Sequence, residues 1–373
     1  MSDSQVIRVL HVVVSLDAGG MERVLIRTAR RLVPRGFEIS VCALERRGAL
    51  AETFPAPERV VTLDKPPGRS LGTIWRLHRL LRQTRPDVVH THNLGPLIYA
   101  AAASGFGRLC PILHGEHCQL LCNDLGPPRL RLRRLLYRSC RKVHTVSEES
   151  RRELLDLGVS AARVVAVVNG VDTVAFAPGN RSAARQRLGL PEGGRCIAIS
   201  ARFERRKRHD LLIAAVARLV AQGHDLRLLL AGDGALRPEL EALARASGAA
   251  SRLCFLGFCE DVLTVYQAAD LAVLPSTGEG LSNAILEAMA CGIPVLCHAS
   301  CGCAEAVDDG VDGWVRKIDT ADALAAAMES LLGNPERLRA MGCAARDKMV
   351  ERFDFEQTVA GYERVYRDIV SAS

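Results

Sequence analysis

Short β-branched or apolar runs alternate with helical patterns along this chain, and past its middle the alternation starts again. "VLHVVVS" (9–15), "EISVCAL" (38–44), "DVVHTHN" (87–93), "CPILHGEH" (110–117), "KVHTVS" (142–147) and "VVAVVNG" (164–170) read as strands. Such a rhythm builds a parallel sheet with helices on both faces. "CIAIS" (196–200), "LRLLLAG" (226–232), "LCFLG" (253–257), "LAVLP" (271–275) and "IPVLC" (293–297) form a second set. Between the sets, 169–194 is rich in turn formers and holds a short helical pattern. The expected domains are 1–172 and 173–355, with an amphipathic helix over 356–373 packing back on the first. A length of 373 residues suits two domains. The expected fold class is α/β, two Rossmann-like doubly wound domains facing a central cleft. Ligands of such sheets bind beyond the C-terminal ends of the strands.

Composition narrows the setting. No apolar run reaches the length of a membrane span, and the N-terminal "MSDSQVIRVLHVVVSLDAGG" lacks a secretory pattern. The thirteen cysteines are scattered without zinc-type spacing. Cys301 and Cys303 are close, but no second pair or histidine cluster completes a metal site. Reduced thiols and a cytoplasmic location follow as expectations. Residues 1–180 carry a net +10 and residues 181–373 a net −3, within the overall +7. The first half thus suits an anionic surface or substrate, or is simply biased for solubility.

Four loops carry candidate chemistry. In "STGEGLSNAILEAM" (276–289) a helix begins near Ser282 or Asn283, and its free N–H groups and dipole favour a phosphate. Gly278 and Gly280 admit close backbone approach. Helical side chains lean towards the N-terminus, so Glu287 could reach a ribose diol beside that phosphate, while Glu279 would meet sugar hydroxyls. The plainer alternative is a capping carboxylate and a buried helix glutamate. In "SARFERRKRHDLLI" (200–213), Arg202 and Lys207 suit a diphosphate, and Arg205, Arg206 and Arg208 read as a solvated basic loop. Gly19 and Gly20 open a helix after the first strand, as an anion or sugar site or as a plain tight turn. "LHGEH" (113–117) offers His114, Glu116 and His117 as polar groups facing the cleft. His90 and His92 read as loop packing.

Taken in order, these motifs resemble the retaining GT-B glycosyltransferases of family 4, along nearly the whole chain. The E-x7-E motif matches Glu279 to Glu287, "ARFERRK" matches the family's Arg and Lys at Arg202 and Lys207, and "HGEH" places the active-site histidine at His114. "NGVDTVAFAP", "AGDGALRPELE" and "DAGGMER" match further family segments. "DVVHTHN" and "HGEH" are most similar to bacterial exopolysaccharide or lipid-linked sugar transferases. The chain departs from the family at Arg208 and Ala201, where glycine often flanks this motif, and at Ser300, Cys301 and Cys303 around Gly302.

The resemblance implies a hexosyl transfer from a UDP- or GDP-linked sugar to an acceptor hydroxyl with retention, in cell-surface polysaccharide or glycolipid synthesis. It implies that Arg202 and Lys207 neutralise the leaving diphosphate, together with the amides of Gly280, Leu281, Ser282 and Asn283. Glu287 would hold the ribose, Glu279 and His114 the donor sugar, and Phe258 the base. Gly19 and Gly20 would shape the acceptor side. No cofactor or metal is expected, in keeping with the lack of a D-x-D triplet; nor is nucleic acid. Segment 127–143 is expected to wind as a helix from Pro127 and Pro128. Arg131, Arg134, Arg138, Arg141 and Lys142 would form a basic face, with Leu132, Leu135, Leu136, Cys140 and Val143 opposite; Leu130 and Arg133 fit these faces less well. Such a face could lie on the anionic inner surface of a plasma membrane and meet a lipid-linked acceptor; the alternative is a core helix with a solvated arginine face. The competing readings are a nucleotide-sugar epimerase of the same architecture, an NAD-dependent oxidoreductase and a non-catalytic sugar-nucleotide binder. "AGDGALRPE" lacks the third glycine that a dinucleotide fingerprint needs.

Overall fold

The strand-like runs of the first half pair side by side as a seven-stranded, all-parallel sheet. Its strands are β1 (Ile7–Ser15), β2 (Phe37–Arg46), β3 (Val60–Thr62), β4 (Val88–His92), β5 (Ile112–Glu116), β6 (Lys142–Thr145) and β7 (Val164–Ala166), in the order β3-β2-β1-β4-β5-β6-β7. The second sheet is also parallel and holds β8 (Arg195–Ser200), β9 (Leu226–Ala231), β10 (Leu253–Gly257), β11 (Leu271–Leu274), β12 (Val295–His298) and β13 (Gly313–Arg316). Its order is β10-β9-β8-β11-β12-β13. In each sheet the order reverses beside the first strand, leaving a crevice at the C-terminal edge, β1/β4 in one and β8/β11 in the other.

The computed structural model describes residues 6–17, 19–117, 120, 126–259, 261–299 and 302–372. They divide into two units, 1–168 with 356–373, and 169–355. Helices of the first unit are α1 (Gly20–Leu32), α2 (Leu71–Thr84), α3 (Leu94–Ala103), α4 (Pro127–Arg138) and α5 (Glu148–Asp156). The helix expected over 127–143 thus stops at Arg138, because the Arg141 amide already donates to the Ile112 carbonyl of β5 at 2.8 Å and Lys142 and Val143 belong to β6; Cys140, Arg141, Lys142 and Val143 lie on neither helix face. The second unit has α6 (Arg181–Arg187), α7 (His209–Ala221), α8 (Arg237–Ala246), α9 (Val262–Ala268), α10 (Asn283–Ala290), α11 (Ala321–Leu332) and α12 (Pro335–Arg352). The last helix, α13 (Phe355–Ser371), returns to the first unit. There Glu356 pairs with Arg31 and Arg35 of the α1 end, and Tyr366 is buried against the sheet.

Sheet strands covered on both faces need apolar residues at every position. β4 ("VVHTH") and β5 ("ILHGE") are buried throughout, yet carry histidines and a glutamate. Those polar groups must find partners inside the protein. His90 and His92 are therefore strand residues in the core, which corrects their reading as loop packing.

In the second unit a buried carboxylate ties the sheet start together. Asp270, just before β11, accepts from Arg181 at 2.6 Å, Arg185 at 2.8 Å, Arg195 at 3.2 Å and the Cys196 amide at 2.8 Å. Arg185 is itself almost fully buried, so its charge depends on this partner.

Candidate active site

β8 and β11 are neighbours, so the loops after Ser200 and Leu274 leave the sheet at one edge. The Thr277 amide donates to the Arg206 carbonyl at 3.1 Å and fastens one loop to the other. This brings Lys207 to Glu279, and the ammonium and carboxylate form an ion pair in which both side chains are about nine-tenths buried. The Glu279 carbonyl accepts from the Gly302 amide at 3.0 Å, and the Leu281 carbonyl from Asn169 Nδ2 at 3.3 Å. These bonds hold the backbone that leads into α10.

α10 starts at Asn283, and its cap residue Ser282 has extended backbone (φ −77°, ψ 120°) with no side-chain cap bond. Its hydroxyl does not cap the helix start, which keeps the partial positive charge suited to an anion. Gly280, Leu281 and Ser282 are buried. Glu287 lies in the second turn of α10, half-buried. It is near enough to Tyr266 to act on it: burial first, and the Glu287 charge second, push the Tyr266 phenol well above its usual range.

Arg202 reaches the Glu204 carboxylate at 3.3 Å, and Arg206 Nε reaches its other oxygen at 3.1 Å. Arg208 has a left-handed backbone (φ 53°), and its guanidinium donates to the Asp319 carbonyl at 2.7 Å. Arg206 and Arg208 are thus tied into the loop, which corrects their reading as solvated charge. Left-handed backbone also explains why glycine suits the position after Lys207. Gly232 lies against the same loop: a Cβ there would be 2.0 Å from the Ala201 carbonyl oxygen. "AGDG" is therefore needed for backbone contact with the Arg202 loop, bonded from the Phe203 amide to the Asp233 carbonyl at 2.9 Å. Phe258 follows β10, and about half of its surface is exposed.

In the first unit, Gly19 caps α1 with φ −150° and Gly20 is its first residue. Asp17, before them, accepts from Ser15 Oγ at 2.7 Å and from Arg46 at 2.5 Å. His114 lies within β5, not beyond it, and is fully buried. Its Nδ1 is 2.8 Å from Thr91 Oγ1 and its Nε2 is 3.0 Å from Glu116 Oε1. Glu116, also buried, accepts from Tyr137 at 2.5 Å and pairs with Arg133. Burial alone would raise the Glu116 carboxyl; the bond and charge of His114, then Arg133 and Tyr137, outweigh it and hold it below the usual value. Of the three "LHGEH" groups, His117 is the one left partly exposed.

Behind them runs a feature that the sequence reading missed. His144 Nε2 is 2.8 Å from His90 Nε2, and His90 Nδ1 is 2.7 Å from the Tyr366 hydroxyl. That hydroxyl is 3.5 Å from His11 Nε2. His11 Nδ1 is 2.9 Å from His92 Nε2, and His92 Nδ1 is 2.9 Å from His117 Nε2. β1, β4, β6, α13 and the residue after β5 thus each contribute a ring or hydroxyl. Gly115 makes room for the row: a Cβ there would be 2.4 Å from His144 Nε2. Burial pushes His11 down to about 3 and His117 to about 4. Burial first, then the neighbouring imidazoles, hold His90, His92 and His144 well below their ordinary value.

Among the described residues, His11, His90 and His92 are the group whose ligand atoms, all within 4.8 Å of one another, could close on a metal ion. The ring geometry favours hydrogen bonding instead. The His11 and His92 rings are nearly parallel (10°), with centroids 5.2 Å apart and nitrogens 2.9 Å apart. That is close to the widest separation two imidazoles in such contact can have, so one N–H points straight along the other's lone pair. Cys301 lies outside the described residues, as does Ser300; Cys303 is a buried free thiol.

Comparison with known proteins shows the family and the fold. The model of the family described as "Glycosyltransferase Family 4" matches residues 18–175, and that of "Glycosyl transferases group 1" matches residues 180–348. The chain is 32% identical to a D-inositol 3-phosphate glycosyltransferase of Geodermatophilus obscurus, over 96% of this chain and 87% of that protein. It is 30% identical to the protein of the same description from Nocardia farcinica, over 88% and 80%. The crystal structure of Anabaena Alr3699/HepE in complex with UDP and glucose superposes with a TM-score of 0.84 at 25% identity, covering 96% of this chain and 99% of that one. The likeness establishes the GT-B fold, built from two Rossmann-like α/β domains.

Proposed function

The chain belongs to the family 4, group 1 glycosyltransferases, enzymes that move a sugar from a nucleoside diphosphate donor, and from that premise we propose which of its residues carry the transfer. The observation that carries the reading is the Lys207–Glu279 ion pair beside the start of α10. An arriving diphosphate takes Lys207 from Glu279, and Glu279 then accepts from hydroxyls of the donor sugar. Each side chain is already held in place, so little reorganisation is needed. Arg202 exchanges Glu204 for the same phosphates. The amides from Gly280 to Asn283 complete the anion site, Glu287 binds the ribose, and Phe258 packs near the base.

The bond from the anomeric carbon to the phosphate oxygen breaks, and the nucleoside diphosphate leaves with the electron pair. The acceptor hydroxyl attacks from the same face, its proton passes to the leaving phosphate, and configuration is retained. No pair of carboxylates serves as nucleophile and acid, unlike in glycosidases. His114 is assigned to the donor sugar; to reach it, the imidazole must exchange its bond to Thr91 or Glu116 for one to a sugar hydroxyl. Gly19 and Gly20 are assigned to the acceptor side. The donor class is a UDP-linked hexose, in line with the UDP and glucose bound by Anabaena HepE. The acceptor class is a lipid-linked hydroxyl, met by an enzyme that attaches peripherally to the inner face of the plasma membrane through 127–143. The domains are assigned as 1–172 with 356–373 on the acceptor side and 173–355 on the donor side.

Lys207→Ala removes a charge whose value grows as the diphosphate leaves. Turnover is expected to fall about one hundred to a thousandfold. UDP should still raise the melting temperature of this variant and of Glu279→Ala, because both keep the helix amides. Near-normal sugar transfer by a folded Lys207→Ala enzyme would sink the assignment.

A further inference from the structure

Helix α4 presents an unexpected face to solvent. The sequence pattern sets Leu132 and Leu135 on its packed side, but they are 37% and 56% exposed, while Arg133 is buried. Arg133 turns inward because Glu116 is there to pair with it. The outward face therefore combines Arg131, Arg134 and Arg138 with two exposed leucines, a composition suited to a membrane interface.

Beside this face lies a cavity of about 610 Å³, lined by Arg131, Arg134, Leu135, Arg138, Val159 and Arg163 among others, with no carboxylate in the lining among the described residues. Two of its four guanidinium groups are fixed. Arg134 Nε donates to the Leu157 carbonyl at 2.8 Å, and Arg163 donates to the Cys140 carbonyl at 2.6 Å. Those bonds orient each fork and leave its remaining N–H groups available. The Arg131 and Arg138 side chains have no partner among the described residues. Four guanidiniums around one hollow repel each other, and an anion relieves that repulsion. Their planar forks match the oxygens of a phosphate.

We propose that this cavity binds the phosphate headgroup of a membrane lipid, with Leu132 and Leu135 entering the acyl boundary beside it. The proposal rests on the reading that 127–143 meets a membrane and adds a defined headgroup site to it. A diffuse basic face responds to surface charge alone. A cavity responds to the chemistry of the headgroup, and a phosphomonoester offers the forks more open oxygens than a phosphodiester.

The test is co-sedimentation of the full chain, at low salt, with phosphatidylcholine vesicles carrying phosphatidic acid or phosphatidylglycerol at matched surface charge. Binding to phosphatidic acid is expected to be about tenfold tighter, the value of one added charge-assisted hydrogen bond. Arg131→Gln with Arg138→Gln should remove that preference and weaken binding about thirtyfold. Arg79→Gln with Arg82→Gln, which takes the same charge from exposed sites on α2, should keep the preference. Circular dichroism checks that both variants fold. Vesicle binding that is equal for the two lipids overturns the headgroup site and leaves the membrane reading standing. Failure of the wild-type chain to sediment overturns both. Inorganic phosphate that binds as tightly without vesicles as the lipid does with them makes the occupant a soluble phosphate and overturns the proposal. Sugar transfer to a soluble acceptor stays intact in either double variant, since neither touches the donor site.

Discussion

Mild acid is predicted to open the first unit. His11, His90, His92 and His144 are buried and held neutral, His11 down to about 3 and the others well below their ordinary value. In an unfolded chain each would titrate near 6.5. Below that pH the unfolded state binds more protons than the folded one, so stability falls as pH falls. The stabilisation is fully present above about pH 6.5 and is lost progressively towards the folded values. Each neutral imidazole costs about 1.4 kcal/mol per pH unit in this window, so four cost about 5 kcal/mol at about pH 5.5. That is comparable to the whole stability of many domains. The groups facing the row do not offset it. Tyr362 and Tyr366 stay protonated, and His117 is itself held down to about 4. Glu116 is bonded to His114, and its lowered carboxyl loses stability in the same direction, only at lower pH. Hydrogen exchange with mass-spectrometric readout, corrected for the intrinsic pH dependence of exchange, measures each unit separately. Amides of β1, β4 and β6 should lose about three to four decades of protection between about pH 7.5 and 5.5. The second unit is an internal comparison: His209, lowered to about 4, gives it a shallower slope. Flat protection in β1 and β4 across that range would refute the neutral-core argument.

Other perturbations have equally defined outcomes. Asp270→Ala strands the buried Arg185 and should destabilise the second unit by about 3–5 kcal/mol in denaturant melts read at the largely buried Trp314. Gly115→Ala drives a methyl group into His144 and should cost about 1–3 kcal/mol, seen as a lower melting temperature. With Arg202, Lys207 and helix amides as counter-charges, sugar transfer should survive EDTA; loss restored by Mg²⁺ would contradict the assignment.

Much of the sheet was legible because buried parallel strands are nearly continuous apolar runs, and eleven such runs fall on strands. β3 ("VVT") and β13 ("GWVR") were not, being short edge strands with little apolar signal. The motif around Glu279 and Glu287 was visible because glycines, a helix start and two carboxylates are close in sequence. Lys207 was legible in "ARFERRK", but its ion pair with Glu279 was not: the two meet only because β8 and β11 are neighbours. The face of α4 was misread for the same kind of reason, since periodicity places arginine outside and leucine inside unless a distant carboxylate such as Glu116 intervenes. The histidine row draws on separate strands and α13, and no local pattern signals it.

That row has a consequence for the proton positions along it. A neutral imidazole has one N–H and one lone pair, and a phenol hydroxyl that accepted from both neighbours would leave its own buried hydrogen unbonded, so the buried Tyr366 donates to one ring and accepts from the other. From His144 through His90, Tyr366, His11 and His92 to His117, every link therefore has to point the same way. Two arrangements of hydrogens satisfy it, each the mirror of the other. In one, His117 receives at Nε2 and offers an N–H from Nδ1; in the other it donates from Nε2 and presents a lone pair at Nδ1. The tautomer of a partly exposed ring just past β5 is thereby set jointly with that of a fully enclosed ring on β6. Replacing any middle member with phenylalanine cuts the row in two, and each half regains its own orientation.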